Sequence, residues 1–437
     1  MIGIDIGSVT LKAVELSPGR DGFRLDAVAV VPTPADTIAQ GVIYEPDQVG
    51  AALGELLKGG GFKARKAVIS VGGQTSLAVR VIELPKMKDD ELRRAITLDL
   101  DRQIPFPAQG TVHDFCKIQP ADAPPDETTQ EVLLAVAQEE LVNGHLGALR
   151  KAGVQPTAID IECLALTRAL VNAAGNGYGR GTVALVNIGA SLTEISIVHD
   201  GLLRFVRSLA LGGDSFTTAI GQGFIVESSE AEDIKRRWGT LLLDEPVGPA
   251  PPPSPPRAMP QPAGPSAMRD EEEGITSRAV DLDLDLEEGL PGMEARGAGR
   301  LQPEAHVAEG APSEQAEAAP AGPAGVMEGA DDEERRRMVS QALMSVVTDL
   351  AREIRSTLDY FSTRKGMEVQ RIILCGGSAK VENLAQFMSR ELNVETVLGS
   401  PFQRCTPASP AMEAQYLADI APMMGVATGL AMRDMLG

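Results

Sequence analysis

The sequence predicts a mixed α/β fold built on an internal duplication and interrupted by a long acidic insert. Three observations carry this expectation. Apolar strand-like runs alternate with amphipathic helical runs through most of the chain. Two strand–turn–strand segments, around Asp5-Ile6-Gly7-Ser8 and Asn187-Ile188-Gly189-Ala190-Ser191, recur about 180 residues apart. Between residues 241 and 332 the periodic pattern gives way to Pro, Ala, Gly and Glu.

Strands are predicted at 1–6, 11–16, 66–71, 182–187, 193–199 and 371–375, and helices at 46–57, 89–100, 139–152, 165–173, 229–237, 335–360 and 381–392. At 437 residues the chain exceeds one ordinary hydrophobic core, so roughly two to four packed units are expected. The insert holds 15 of the 30 prolines and 19 acidic against 5 basic residues, so most of the net charge of −21 belongs to it. Low hydrophobicity with like charge cannot offset the entropy of ordering, and the sequence predicts disorder there, with polyproline character at 251–256. Its tract 281–288 alternates acid and leucine, which reads as a solvated acidic run or a docking motif and lacks the turn glycine of a calcium loop.

The acidic balance argues against nucleic acid or an anionic membrane surface as partner. Cysteines 116, 163, 375 and 405 lack Cys-x-x-Cys spacing, so neither a zinc site nor a disulfide framework is suggested, which fits a reducing cytoplasmic setting. No apolar run reaches the roughly 18 residues of a spanning helix, and residues 2–6 already read as a buried strand rather than a signal peptide. Any membrane link is expected to run through a partner.

The chemistry sits in the duplicated turns. A glycine turn between two strands lets backbone N–H groups face an anion with no side chain in the way. In the first copy Gly7, Ser8 and Val9 offer amides, Thr10 adds a hydroxyl, and Lys12 on the returning strand can bring an ammonium to phosphates. Asp5, at the strand end, is placed to hold Mg²⁺ through water. One such hairpin is weak evidence; a pair is much stronger. The strand 372–375 runs into Gly376-Gly377-Ser378-Ala379, where paired glycines permit close approach of a base or ribose, although strand–Gly-Gly–helix is also a common structural turn. Glu232 and Lys235, one helical turn apart, can reach a ribose or form a surface ion pair.

In this order the pieces resemble the actin, Hsp70 and sugar-kinase superfamily. Residues 5–12 resemble its first phosphate motif, and Asn187, Gly189, Ala190 and Thr193 fall in the second. Residues 373–379 resemble the adenosine motif, and 421–431 the helix that returns between the lobes. Leu84-Pro85-Lys86-Met87, Glu91 to Ile96, Ile104-Pro105-Phe106-Pro107, the run 206–214 with Gly212 and Gly213, and the Glu232/Lys235 helix more specifically resemble the type IV pilus assembly protein PilM family.

That resemblance implies a two-lobed actin-like fold, each lobe on a five-stranded RNase H-type sheet, with ATP and Mg²⁺ between them. First-lobe core would take 1–84 and 158–180, and an FtsA-like inserted subdomain 85–157. The second lobe would take 181–240 and 333–420, and the returning helix 421–437. It further implies a groove by the subdomain for the cytoplasmic tail of a bitopic PilN-like protein, and through it PilO- and PilP-like proteins and the pilus motor ATPases at the inner membrane. Phe106 reads either as groove lining or as core.

Asn187 departs from the aspartate usual at the second motif, which weakens metal affinity and water activation and predicts slow or absent hydrolysis. Glu162, with Asp160 behind it, is the remaining candidate base, or a cap for the helix that follows. A sugar-kinase-type phosphotransferase and an FtsA- or MreB-like polymerising protein stand as alternatives, and the sequence leaves homo-oligomer formation open.

Overall fold

The computed structural model describes residues 1–20, 22–118, 128–172, 179–243, 330–409 and 412–435. The predicted insert, apart from its ends, and residues 119–127 lie outside the described residues. The chain opens as an antiparallel meander, β1 (Ile2–Ile6), β2 (Thr10–Pro18) and β3 (Phe23–Pro32). A ribbon of β4 (Ile38–Ala39) and β5 (Val42–Ile43) leads into helix α1 (Pro46–Gly59), started by proline in its first turn, and then β6 (Lys66–Val71), parallel to β1.

The chain next leaves this sheet. Strands β7 (Leu77–Pro85), β8 (Thr111–Ile118) and β9 (Thr129–Gln138) form a separate antiparallel sheet of order β7-β9-β8, and α2 (Asp89–Gln103) packs on it through Leu92, Ile96 and Leu100. These three recur at intervals of four, one face of a helix. Helix α3 (Glu139–Lys151) packs on α1 and returns the chain as β10 (Gln155–Ile161), parallel to β6.

Helix α4 (Glu162–Thr167), continued by a π-helical turn over Arg168–Asn172, crosses to the second sheet. There β11 (Thr182–Ile188), β12 (Thr193–His199) and β13 (Leu202–Leu209) form another antiparallel meander. Helices α5 (Gly213–Phe224), α6 (Ser228–Trp238) and α7 (Asp332–Lys365) follow. Strand β14 (Arg371–Cys375) runs parallel to β11; after α8 (Leu384–Leu392), β15 (Glu395–Leu398) runs parallel to β14. The orders β3-β2-β1-β6-β10 and β13-β12-β11-β14-β15 match strand for strand and sense for sense, so the duplication seen in two turns extends through both sheets.

Helix α7 is amphipathic, burying Val339, Leu343, Val347, Leu350, Ile354, Leu358 and Phe361, with Asp331 capping its start and Gly366 ending it in left-handed geometry. The final stretch, β16 (Cys405–Pro407), α9 (Ala414–Ile420) and α10 (Gly425–Ala431), returns to the first sheet. Helix α10 lies so close to β1 that a Cβ on Gly3 would sit 2.0 Å from the Ala427 carbonyl oxygen. Side chains from both sheets, α4 and α10 share one core cluster.

Three expectations are corrected. The separate small sheet runs from residue 77 to 138 rather than 85–157, because β7 has already left the first sheet before Pro85 while α3 and β10 pack back on it. The first sheet has six strands, not five, because β16 pairs with β3. The same pairing means that the chain has crossed back well before residue 421.

Candidate functional site

The two duplicated turns close identically. The Gly7 N–H donates to the Thr10 carbonyl at 3.1 Å, and the Gly189 N–H donates to the Leu192 carbonyl at 3.0 Å. Both turns line one cavity of about 740 Å³. Its floor includes α4, which crosses between the sheets, and the start of α10, through Glu162, Leu166, Gly425 and Val426.

On the first side Lys12, directly opposite Asp5 across the hairpin, donates to its carboxylate at 2.9 Å, with both side chains about nine-tenths buried. On the second side Asn187 lies opposite Glu194, and its amide donates to Glu162 at 3.2 Å. Burial, then the negative charges of Asp5 and Glu194, push the Glu162 carboxyl well above its ordinary pKa; burial likewise raises that of Glu194. Glu162 is the first residue of α4, and neither it nor Asp160 caps that helix with its side chain. Asp160 instead accepts from the Ile161 N–H and from Arg168. The capping expectation is thus replaced by a carboxylate facing the cavity and a structural ion pair behind it.

Lys235 is more than a surface partner of Glu232. Its ammonium donates to the Gly213 carbonyl at 3.0 Å and to the Thr217 hydroxyl at 2.8 Å, fastening α6 to the first turn of α5, while Glu232 accepts from Thr217 at 2.6 Å. A Cβ on Gly213 would meet Ser378 Oγ at 2.3 Å, so this glycine lets α5 close on the turn after β14. That turn needs Gly376: its φ is +92°, and a Cβ would lie 2.3 Å from the Ile188 carbonyl oxygen.

Of the residues singled out from sequence, Asp5, Gly7, Ser8, Val9, Thr10, Lys12, Glu162, Asn187, Gly189, Ala190, Gly213, Glu232, Lys235, Gly376, Gly377 and Ser378 all line this cavity. Thr193 and Gly212 do not. Thr193 is fully buried, its hydroxyl donating to the Leu211 carbonyl at 2.7 Å, and Gly212 precedes α5 pressed against Ala190 and Leu192. Phe106 packs, partly buried, on the α2 cluster. Sequence reading missed Glu194, Asp214 and His145, which also line the cavity. The duplication held the signal for the first: Glu194 follows Asn187 at the spacing by which Lys12 follows Asp5.

Two sheets of matched order, with a glycine turn from each facing a shared cavity, define an actin-fold α/β protein. The family model for type IV pilus assembly protein PilM matches residues 3–241 and 335–435, and the chain belongs to that family. A solved structure, the PilM-PilN type IV pilus biogenesis complex, is 23% identical and aligns over 100% of this chain and 98% of its own at a TM-score of 0.71. Cell division protein FtsA of Bacillus subtilis (strain 168) is 24% identical over 56% of this chain and 59% of its own length. FtsA of Pseudomonas aeruginosa is 23% identical over 55% and 61%. The chain thus spans about three fifths of the curated relatives it matches. Among the described residues no helix is long and apolar enough to cross a membrane.

Proposed function

We propose that the chain is an ATP-binding adaptor of the type IV pilus machine, cytoplasmic and recruited to the inner-membrane face by partners. The observation that carries nucleotide binding is the pair of matched glycine turns on opposite sides of one cavity. The residues fit a nucleotide. The open turns 7–10 and 189–191 suit phosphate oxygens, Lys12 supplies a positive charge, and the turn 376–378 with Lys235 and Glu232 suits ribose and base. Asp5 would hold Mg²⁺ through water, and the ion would offset phosphate charge. With Asn187 in place of a carboxylate, hydrolysis is slow or absent, and Glu162 is the group left to orient water.

The finer architecture proposed is two RNase H-type lobes with the small sheet as an FtsA-like subdomain. Its partner is the cytoplasmic tail of a PilN-like bitopic protein, a reading supported by family membership and by the fold shared with a solved PilM-PilN complex. PilO- and PilP-like proteins and the motor ATPases are reached through that tail. Calorimetric titration with ATP and Mg²⁺, and fluorescence polarisation of labelled PilN-like tail peptides, test the two halves. Micromolar or tighter binding of each is expected. Rapid phosphate release or transfer to a sugar would instead identify an enzyme, and absence of tail binding with nucleotide present would remove the adaptor role.

A further inference from the structure

The matched hairpins differ in one respect that bears on the cation. In the first, the carboxylate of Asp5 stands opposite Lys12 and is paired with it at 2.9 Å. In the second, the position matching Asp5 holds an amide, Asn187, and the position matching Lys12 holds a carboxylate, Glu194. The acid has not been lost from the second hairpin; it stands on the neighbouring strand. Glu194 is 8% exposed and lines the cavity; its Oε1 makes no well-formed hydrogen bond among the described residues, and the nearby Ser196 hydroxyl offsets only part of the cost of burying its charge. Its other cross-strand neighbour is Ser208, which also lines the cavity and brings no positive charge.

A buried carboxylate oxygen without a donor is costly unless something else meets it. A purely structural side chain here would be better served by an apolar group or a paired amide. In its ionised form Glu194 repels phosphate. Among the described residues five carboxylates and four cationic side chains line the cavity, so a cation entering with an anionic nucleotide improves the charge balance. A hard divalent ion with oxygen ligands and retained waters matches a carboxylate held in this way.

We propose that Glu194 faces the divalent cation accompanying the nucleotide, supplying from β12 the negative charge that Asn187 does not supply from β11. This rests on the nucleotide reading above. It changes one consequence of Asn187: the cation site keeps two carboxylates, Asp5 and Glu194, one from each half of the fold.

The test is ADP affinity of the full chain, measured calorimetrically with and without Mg²⁺, alongside Mn²⁺ affinity of the ADP complex from water-proton relaxation. The wild-type chain is expected to bind ADP more tightly with Mg²⁺. Glu194→Gln is expected to bind ADP without metal no more weakly than the wild type, because a repelling charge is removed, yet to lose most of the Mg²⁺ enhancement and weaken Mn²⁺ about tenfold. Asn187→Asp combined with Glu194→Gln is expected to restore the enhancement by returning the acid to β11. Glu194→Asp, which keeps the charge, covers the case in which the amide variant does not fold, and it should retain part of the enhancement. An unchanged Mg²⁺ enhancement in Glu194→Gln overturns this inference alone. No ADP binding by the wild-type chain under either condition overturns the nucleotide reading and this inference with it.

Discussion

At the scale of the residue, Asn187 stands where the first hairpin has Asp5, and its amide does specific work. It donates to Glu162 at 3.2 Å, between carboxylates at positions 5, 162 and 194. Replacing it with aspartate removes that donor and adds a like charge, so Asn187→Asp should lower the stability of the nucleotide-free chain by about 1–3 kcal/mol. Urea denaturation measures this, and addition of ADP with Mg²⁺ should recover much of the loss. An unaltered midpoint would mean that the Asn187–Glu162 bond contributes nothing. Lys12→Ala leaves Asp5 without its partner and the first turn without its ammonium, and ADP affinity should fall by about tenfold or more. Most of the site residues singled out from the sequence line the cavity, because glycine turns and their flanking acid and lysine have a recognisable spacing. Glu194 was not singled out, because a glutamate on a strand has no local signature; its spacing from Asn187 matches that of Lys12 from Asp5, and the register between β11 and β12 gives that match its meaning.

At the scale of the element, the small sheet meets the second half of the fold through apolar packing of β7 on β13 and through one carboxylate. Glu131 on β9 accepts from Arg204 on β13 and from Lys365 at the end of α7, the latter at 2.6 Å. Burial alone would raise its pKa, but the hydrogen bonds and charges of Lys365 and Arg204 outweigh it and hold the carboxyl below its ordinary value. A depressed carboxyl contributes stability above its unfolded pKa of about 4.3, and that contribution is lost as pH falls through the folded value. Glu131→Gln should therefore cost about 1–3 kcal/mol at pH 7, with the gap from wild type closing below about pH 4. Denaturation curves at the two pH values decide it; a gap that stays constant would show that charge is not what joins the elements. The small sheet was also the part of the fold least legible in sequence. Strands β7 and β8 lie at its edges with mostly half-exposed side chains, and so lack the continuous apolar run that marked β1, β6, β11 and β14. Helix α5 was hidden for a different reason: three glycines and two threonines give Gly213–Phe224 poor intrinsic helicity, and burial of Phe216, Ile220 and Phe224 supplies the stabilisation.

At the scale of the whole molecule, the question is what the stretch between residues 243 and 330 does to the fold that surrounds it. Both of its ends are anchored in the same neighbourhood. Leu241 is fully buried, its N–H donating to the Glu382 carbonyl at 2.9 Å, and the Leu242 N–H donates to Ser340 on α7 at 2.9 Å. From the other side Ala330 is buried, Asp331 caps α7, and Arg336 reaches Glu382 at 2.9 Å. The chain thus departs and returns beside the first turns of α7, and the cavity-lining residues named above belong to the described part of the chain on either side of the stretch. Replacing 244–329 with a short Gly-Ser linker should leave ADP affinity within about twofold and stability within about 1 kcal/mol, since loop length enters closure entropy only logarithmically. Extending the deletion to 241–332 removes the buried Leu241 and the Asp331 cap, and should cost at least about 3 kcal/mol. Urea denaturation and ADP titration of the two deletions separate the cases. Loss of ADP binding in the shorter deletion would make the stretch part of the nucleotide site, whereas equal stability of both would deny the anchoring at its ends.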